Sequence, residues 1–204
     1  MFFFEMKLAN HDLLEPFLLA WGIVPARLFS DFRSEAVTLI SSTFLHGGWA
    51  HIIGNMMYLY IFGDNVEDRL GHFRYLVFYV CAGVIAGLCQ SYMSPASNMP
   101  LIGASGAIAG VLGAYFFFFP KARVLTLIPL GFFSRMIEVP AFLFLGFWFV
   151  MQTFSGSLAL SAAILSRREI GGVAWWAHAG GFLGGLILGP VLGGFSRSKS
   201  RSFF

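Results

Sequence analysis

The chain has 204 residues, 57% of them hydrophobic, 18% aromatic and only 11% charged, against about 25% charged in a soluble domain. Its mean hydropathy is +0.76, which excludes an ordinary soluble domain and makes the lipid bilayer its surroundings. The formal charge of +3 does not indicate a nucleic-acid partner, because the 13 Lys and Arg residues are scattered between apolar stretches and gather on no single face.

Residues 1–43 are mixed. The opening "MFFFEMKLANHDLLEP" has too short an apolar run for a cleavable signal peptide. The following "PFLLAWGIVPARLF" is broken by Pro16, Gly22 and Pro25, so this region is expected to lie in the membrane interface or to fold as a loop domain. Five later stretches have the roughly 17 to 25 residues of a spanning helix, at about 44–63, 73–93, 103–119, 139–157 and 173–194. Between the third and fourth, "VLTLIPLGFF" at 124–133 is interrupted by Pro129 and Gly131 and is expected to be a loop in the membrane surface. Between the fourth and fifth, residues 155–172 are expected to form a flexible connector that caps or gates one face. A basic tail occupies 195–204.

Glycines recur every three or four residues on three of these segments: Gly83 and Gly87, then Gly106, Gly110 and Gly113, then Gly181, Gly185 and Gly189. Such spacing lines one side of a helix and lets backbones approach closely in lipid. Cys81 and Cys89 are eight residues apart on one segment, about 12 Å along a helix, too far to bridge. With the tail cytoplasmic, eight basic residues fall inside and five outside (Lys7, Arg27, Arg33, Arg167 and Arg168), which favours that orientation.

Polar side chains within these segments are costly without partners, so they are candidates for function. "HGGWAHIIGN" carries His46, His51 and Asn55; His51 and Asn55 are i, i+4 neighbours on one helix face. Ser105 opens the third segment and His178 lies near the start of the fifth. The first, third and fifth helices run in one direction, so these groups share one depth. A neutral histidine can take the proton of a serine hydroxyl, making Ser105 a nucleophile and His178 its base. The Ser105 amide at a helix start, with His51 and Asn55, can receive the oxyanion formed on a carbonyl. Gly103 and Gly106 are expected to remove side chains around the nucleophile and so let a backbone approach. Water must reach these groups through a polar cavity, expected beside His46–Gly47–Gly48.

"HGGWAHIIGN" at 46–55, "GASG" at 103–106 and "AHAGG" at 177–181 resemble, in order and spacing, the motifs of the rhomboid intramembrane serine proteases. The resemblance covers about 44–194 and implies an all-α integral membrane bundle, with about five spanning helices here and the usual first helix largely missing. The expected organisation is a 1–43 remnant and interfacial region, a 44–194 protease core and the 195–204 tail. It further implies a Ser105–His178 dyad, an oxyanion site from the Ser105 amide, His51 and Asn55, and support from His46, Gly103 and Gly106. No cofactor and no metal are implied. The implied partners are transmembrane protein substrates, cut near their outer end from a site facing the non-cytoplasmic side, and a prokaryotic plasma membrane is the expected location.

Two rival readings are a catalytically silent rhomboid-like binder of transmembrane helices, which the presence of both Ser105 and His178 argues against, and a histidine-based metal transporter, which lacks a carboxylate or cysteine at that depth. One departure from some relatives is Ala109, where an aromatic packs on the catalytic histidine; Trp175 or Trp176 is the expected substitute.

Overall fold

The computed structural model describes residues 1–130, 133–166 and 172–194. Its elements are short helices α1 (Phe2–Ala9), α2 (Leu14–Trp21), α3 (Pro25–Ser30), α4 (Phe32–Glu35) and α5 (Thr38–Ser41), then a 3-10 turn (Ser42–Phe44). Long helices α6 (Trp49–Leu70) and α7 (His72–Met93) follow, then α8 (Ser105–Phe118), strands β1 (Arg123–Leu130) and β2 (Phe133–Pro140), and helices α9 (Ala141–Ser166) and α10 (Trp175–Gly193).

The bundle is organised around α8, where 11 of 14 residues are buried. Its small side chains explain why. A Cβ added at Gly106 or Gly110 would lie 2.6 or 2.5 Å from the methyl of Ala86 or Ala82 on α7. On the other side, a Cβ at Gly181 or Gly185 of α10 would collide with the carbonyl of Gly106 or Gly110, and one at Gly113 with the carbonyl of Phe182. The two helices therefore meet backbone to backbone, the close approach that small-residue spacing permits in lipid. Toward the other end of α8, Tyr115 and Phe118 join Phe62, Phe78, Leu145 and Phe182 in an aromatic and aliphatic core.

Among the described residues, α7, α9 and α10 are long and apolar enough to cross a membrane by length and composition. The other two expected spans differ in kind. Helix α6 has 22 residues, but Asp64, Glu67, Asp68 and Arg69 make its last turns polar. It begins at Trp49, beyond the 3-10 turn and the loop before it, and ends at Gly71, whose φ of +79° stops the helix. Helix α8, at 14 residues, is about 21 Å long, well short of the roughly 30 Å hydrocarbon core. Ser105 is its first residue.

Two connections depart from expectation. The 124–133 segment belongs to an antiparallel hairpin, in register from Arg123 opposite Pro140 to Leu130 opposite Phe133. Its β-branched Val124, Thr126, Ile128, Ile137 and Val139 favour a pleated ribbon over an irregular surface loop. The connector expected at 155–172 is helical as far as Ser166, a continuation of α9. Ser157, Ser161 and Ser166 donate their hydroxyls to the carbonyls of Thr153, Ser157 and Ala162 four residues back, so polar side chains there are satisfied inside the helix. Residues 167–171 of that connector, and the 195–204 tail, lie outside the described residues.

The N-terminal region is a buttress. Ile23 pairs with Leu101 through two backbone hydrogen bonds, and the Gly103 N–H donates to the Ser42 carbonyl at 2.9 Å. Ile23 also fills the space beside Gly87 of α7. Together these contacts hold the chain leading into α8.

Candidate active site

Three helices supply the polar groups. Ser105 begins α8, so its backbone N–H is among the four that have no carbonyl partner within the helix. His178 lies in the first turn of α10, directly after Ala177, whose carbonyl and methyl pack beside Gly106. Its Nε2 is 2.9 Å from Ser105 Oγ. The first turn of α10 is capped from α7: Gln90 Oε1 accepts from the N–H groups of Trp176 and Ala177 at 3.0 and 3.2 Å.

The ring's other nitrogen determines the proton inventory. His178 Nδ1 is 2.7 Å from Gln152 Oε1 on α9. An amide oxygen only accepts, so Nδ1 carries the proton and the Nε2 lone pair faces the Ser105 hydroxyl, which donates to it. Trp148, one turn before Gln152, places its ring 5.8 Å from the imidazole at 34° between planes. Trp175 meets the same ring edge-on at 6.4 Å, whereas Trp176 turns toward Gly156. The space left by Ala109 is therefore flanked by an aromatic from α9, and the expected Trp175 is an edge contact.

His51 and Asn55 lie on α6 across a cavity of about 610 Å³ that Ser105, His178, Trp148 and Gln152 also line. The Gly47 N–H approaches His51 Nδ1 at 3.4 Å, which leaves the proton of the neutral ring on Nε2, as a donor. Asn55 is buried, and among the described residues its Nδ2 has no partner. Gly103 has φ +118°, and a Cβ there would lie 2.6 Å from His51 Nε2. A side chain at 103 would strike the ring of His51, and the backbone shape itself favours glycine.

One predicted position has other surroundings. His46 does not line the cavity. It is buried behind His51 with ring centroids 5.3 Å apart, and its amide donates to both carboxylate oxygens of the fully buried Glu5 at 3.3 Å. Burial, with His51 adjacent, holds the His46 imidazole below its ordinary pKa, and burial pushes the Glu5 carboxyl above its own. Gly106 seats α8 against α7 and α10, and the backbone that its missing side chain admits is that of α10. The cavity is bounded not by the His46–Gly48 loop but by the α6 face from Ala50 to Tyr58, residues 100–102, α9 and residues 172–175.

Gln152 and Trp148 are not among the residues expected from the sequence. Their one available signal was a lone amide in an apolar segment, with a tryptophan four residues earlier on the same face.

Comparison with known proteins gives a match to the Rhomboid domain family model over residues 33–195. The chain is 29% identical to the chloroplastic Rhomboid-like protein 11 of Arabidopsis thaliana, over 90% of this chain and 61% of that protein. It is 28% identical to the mitochondrial Rhomboid protein 1 of Saccharomyces cerevisiae, over 79% and 43%, and 28% identical to Rhomboid protease GluP of Bacillus subtilis, over 94% and 32%. The chain thus spans from a third to three fifths of the length of these relatives. Because they include organellar and bacterial proteins, the expected prokaryotic origin is without support.

Proposed function

Since the chain belongs to the rhomboid family and is an integral, multi-pass membrane protein, we propose that it is a serine endopeptidase that cuts membrane-protein substrates within or near their transmembrane helices. The observation that carries this reading is the 2.9 Å contact between His178 Nε2 and Ser105 Oγ, in a cavity that Asn55 and His51 also line.

The chemistry follows from those positions. His178 Nε2 takes the Ser105 proton as Oγ bonds to the scissile carbonyl carbon. Charge then develops on the carbonyl oxygen, where the Ser105 N–H, His51 Nε2–H and Asn55 Nδ2 are the available donors. The carbon–nitrogen bond breaks, and His178 returns its proton to the leaving amine. Water, deprotonated in turn by His178, releases the acyl group from Ser105. A peptide bond inside an intact helix is hydrogen-bonded and shielded, so substrates with small or helix-breaking residues near the cut are favoured. The distribution of basic residues supports a site facing the non-cytoplasmic side.

The test is cleavage of a tagged single-span reporter in liposomes by the intact chain, Ser105→Ala and His178→Ala. Cutting by the intact chain alone supports the reading. An intact chain that retains the reporter without cutting it overturns the reading in favour of a silent helix binder.

A further inference from the structure

We propose that Gln152 completes the catalytic group as a positioning residue, giving a Ser105–His178–Gln152 triad whose third member is a neutral amide carried by α9. This inference rests on the serine peptidase reading above.

The geometry is that of an orienting partner. In serine peptidases the third residue accepts a hydrogen bond from the histidine Nδ1–H, keeps the ring in the tautomer whose Nε2 faces the serine, and holds its plane. Gln152 Oε1 occupies that position at 2.7 Å. Its burial is nearly complete, at 7% exposure, and burying a primary amide in a lipid-facing helix is costly unless the group is used.

The surroundings of Gln152 are built for reach. The buried residues of α9 are Ala141, Leu145, Gln152 and Gly156, spaced as one stripe along the helix. At Gly156 an added Cβ would lie 3.1 Å from both Trp175 Cβ and Trp176 Cε2. The missing side chain lets α9 approach the first turn of α10, where His178 is. Trp148, on the turn before, faces the same imidazole. Orientation by hydrogen bond and by ring packing therefore come from a single helix.

A neutral acceptor has a chemical consequence. It selects the tautomer without adding a negative charge to a site in the bilayer, where an ionised carboxylate is expensive. The Nδ1 proton stays on the histidine throughout, and the proton that moves is the one from Ser105.

The experiment compares the intact chain with Gln152→Met and Gln152→Glu in liposomes. It reads kcat and KM on the single-span reporter, and the rate at which a fluorophosphonate labels Ser105. Methionine keeps length and bulk but accepts poorly; glutamate restores an acceptor oxygen. The expected result for Gln152→Met is a kcat lower by about 10- to 100-fold, part of what a positioned base contributes. Its KM stays within about twofold and its labelling slows in parallel, while Gln152→Glu recovers most of both rates. Gln152→Met with unchanged kcat and labelling overturns the triad and leaves the dyad standing. Equal losses in both variants, with KM raised, reduce Gln152 to a packing residue and also overturn it. An intact chain that neither cuts nor labels overturns the peptidase reading itself.

Discussion

Ser105 and His178 are 73 residues apart in sequence and 2.9 Å apart in space, on helices whose glycines interlock so closely that no side chain separates their backbones. The Ser105–His178 distance is thus a property of the α8–α10 contact as much as of the two side chains. A methyl group inserted far down that contact should act at its upper end.

Gly185→Ala is expected to do so. Its methyl would meet the carbonyl of Gly110, a backbone atom that cannot turn aside, at an overpacking cost of about 1–3 kcal/mol. Thermal unfolding in detergent should fall by several degrees, and reporter cleavage by more than the loss of folded protein explains. Gly54→Ala on α6, where an added Cβ meets nothing within 4 Å, should leave the unfolding midpoint unchanged or slightly higher.

Gly103 and His51 should behave as one unit. His51→Ala removes a donor and should lower kcat by about 10²- to 10³-fold. Gly103→Ala pushes a methyl into the same ring and should cost a comparable factor. The double variant should be no worse than the poorer single one. Multiplying losses would show that Gly103 acts somewhere other than through His51.

Trp148 and Trp175 both touch His178, the first across its ring and the second at its edge. Ring packing of this kind contributes about 0.5–1.5 kcal/mol. Trp148→Ala should therefore lower kcat by about 2- to 10-fold, with Trp148→Phe recovering most of it. A kcat loss in Trp175→Ala exceeding that of Trp148→Ala would reverse the assignment.

Opposite pH dependences should meet at the Glu5–His46 contact. The His46 pKa is depressed below 6.5 in the folded chain, so its contribution to stability is complete above about pH 6.5. That contribution is lost as pH falls through the folded value, and His46→Gln should flatten this part of the curve. The Glu5 pKa is raised above 4.5, so its carboxyl favours the folded state most at low pH, and stability declines as pH rises through the raised value. Glu5→Gln keeps an acceptor for the His46 amide and should raise the unfolding midpoint at neutral pH. A midpoint that drops would mean the charge itself is required there.

Much of the helical framework was legible in the chain. Hydropathy located α7 and α10 to within two residues or so, because a lipid-facing helix writes its length into an unbroken apolar run. The hairpin escaped that reading: Val124 to Ile128 is as apolar as an interfacial loop, and only pairing with Ile137 and Val139 distinguishes it. The continuation of α9 past Gly156 escaped it too, because the serines that look like a flexible connector are bonded to their own helix.

By itself, the order of apolar stretches determined that this protein lives in a membrane, and the positions of Ser105, His178, His51 and Asn55 near the starts of alternate helices placed them at one depth. Tertiary structure alone decided which neighbours those groups meet: that Gln152 holds Nδ1, that Trp148 faces the ring, that His46 is withdrawn onto Glu5 and that the backbone Gly106 admits is that of α10. The physical reason is that periodicity records which face of a helix shuns water or lipid, whereas a hydrogen bond between helices depends on their rotation and separation. Those are set where the glycines of α8 and α10, and Gly156 of α9, let one backbone press against the next.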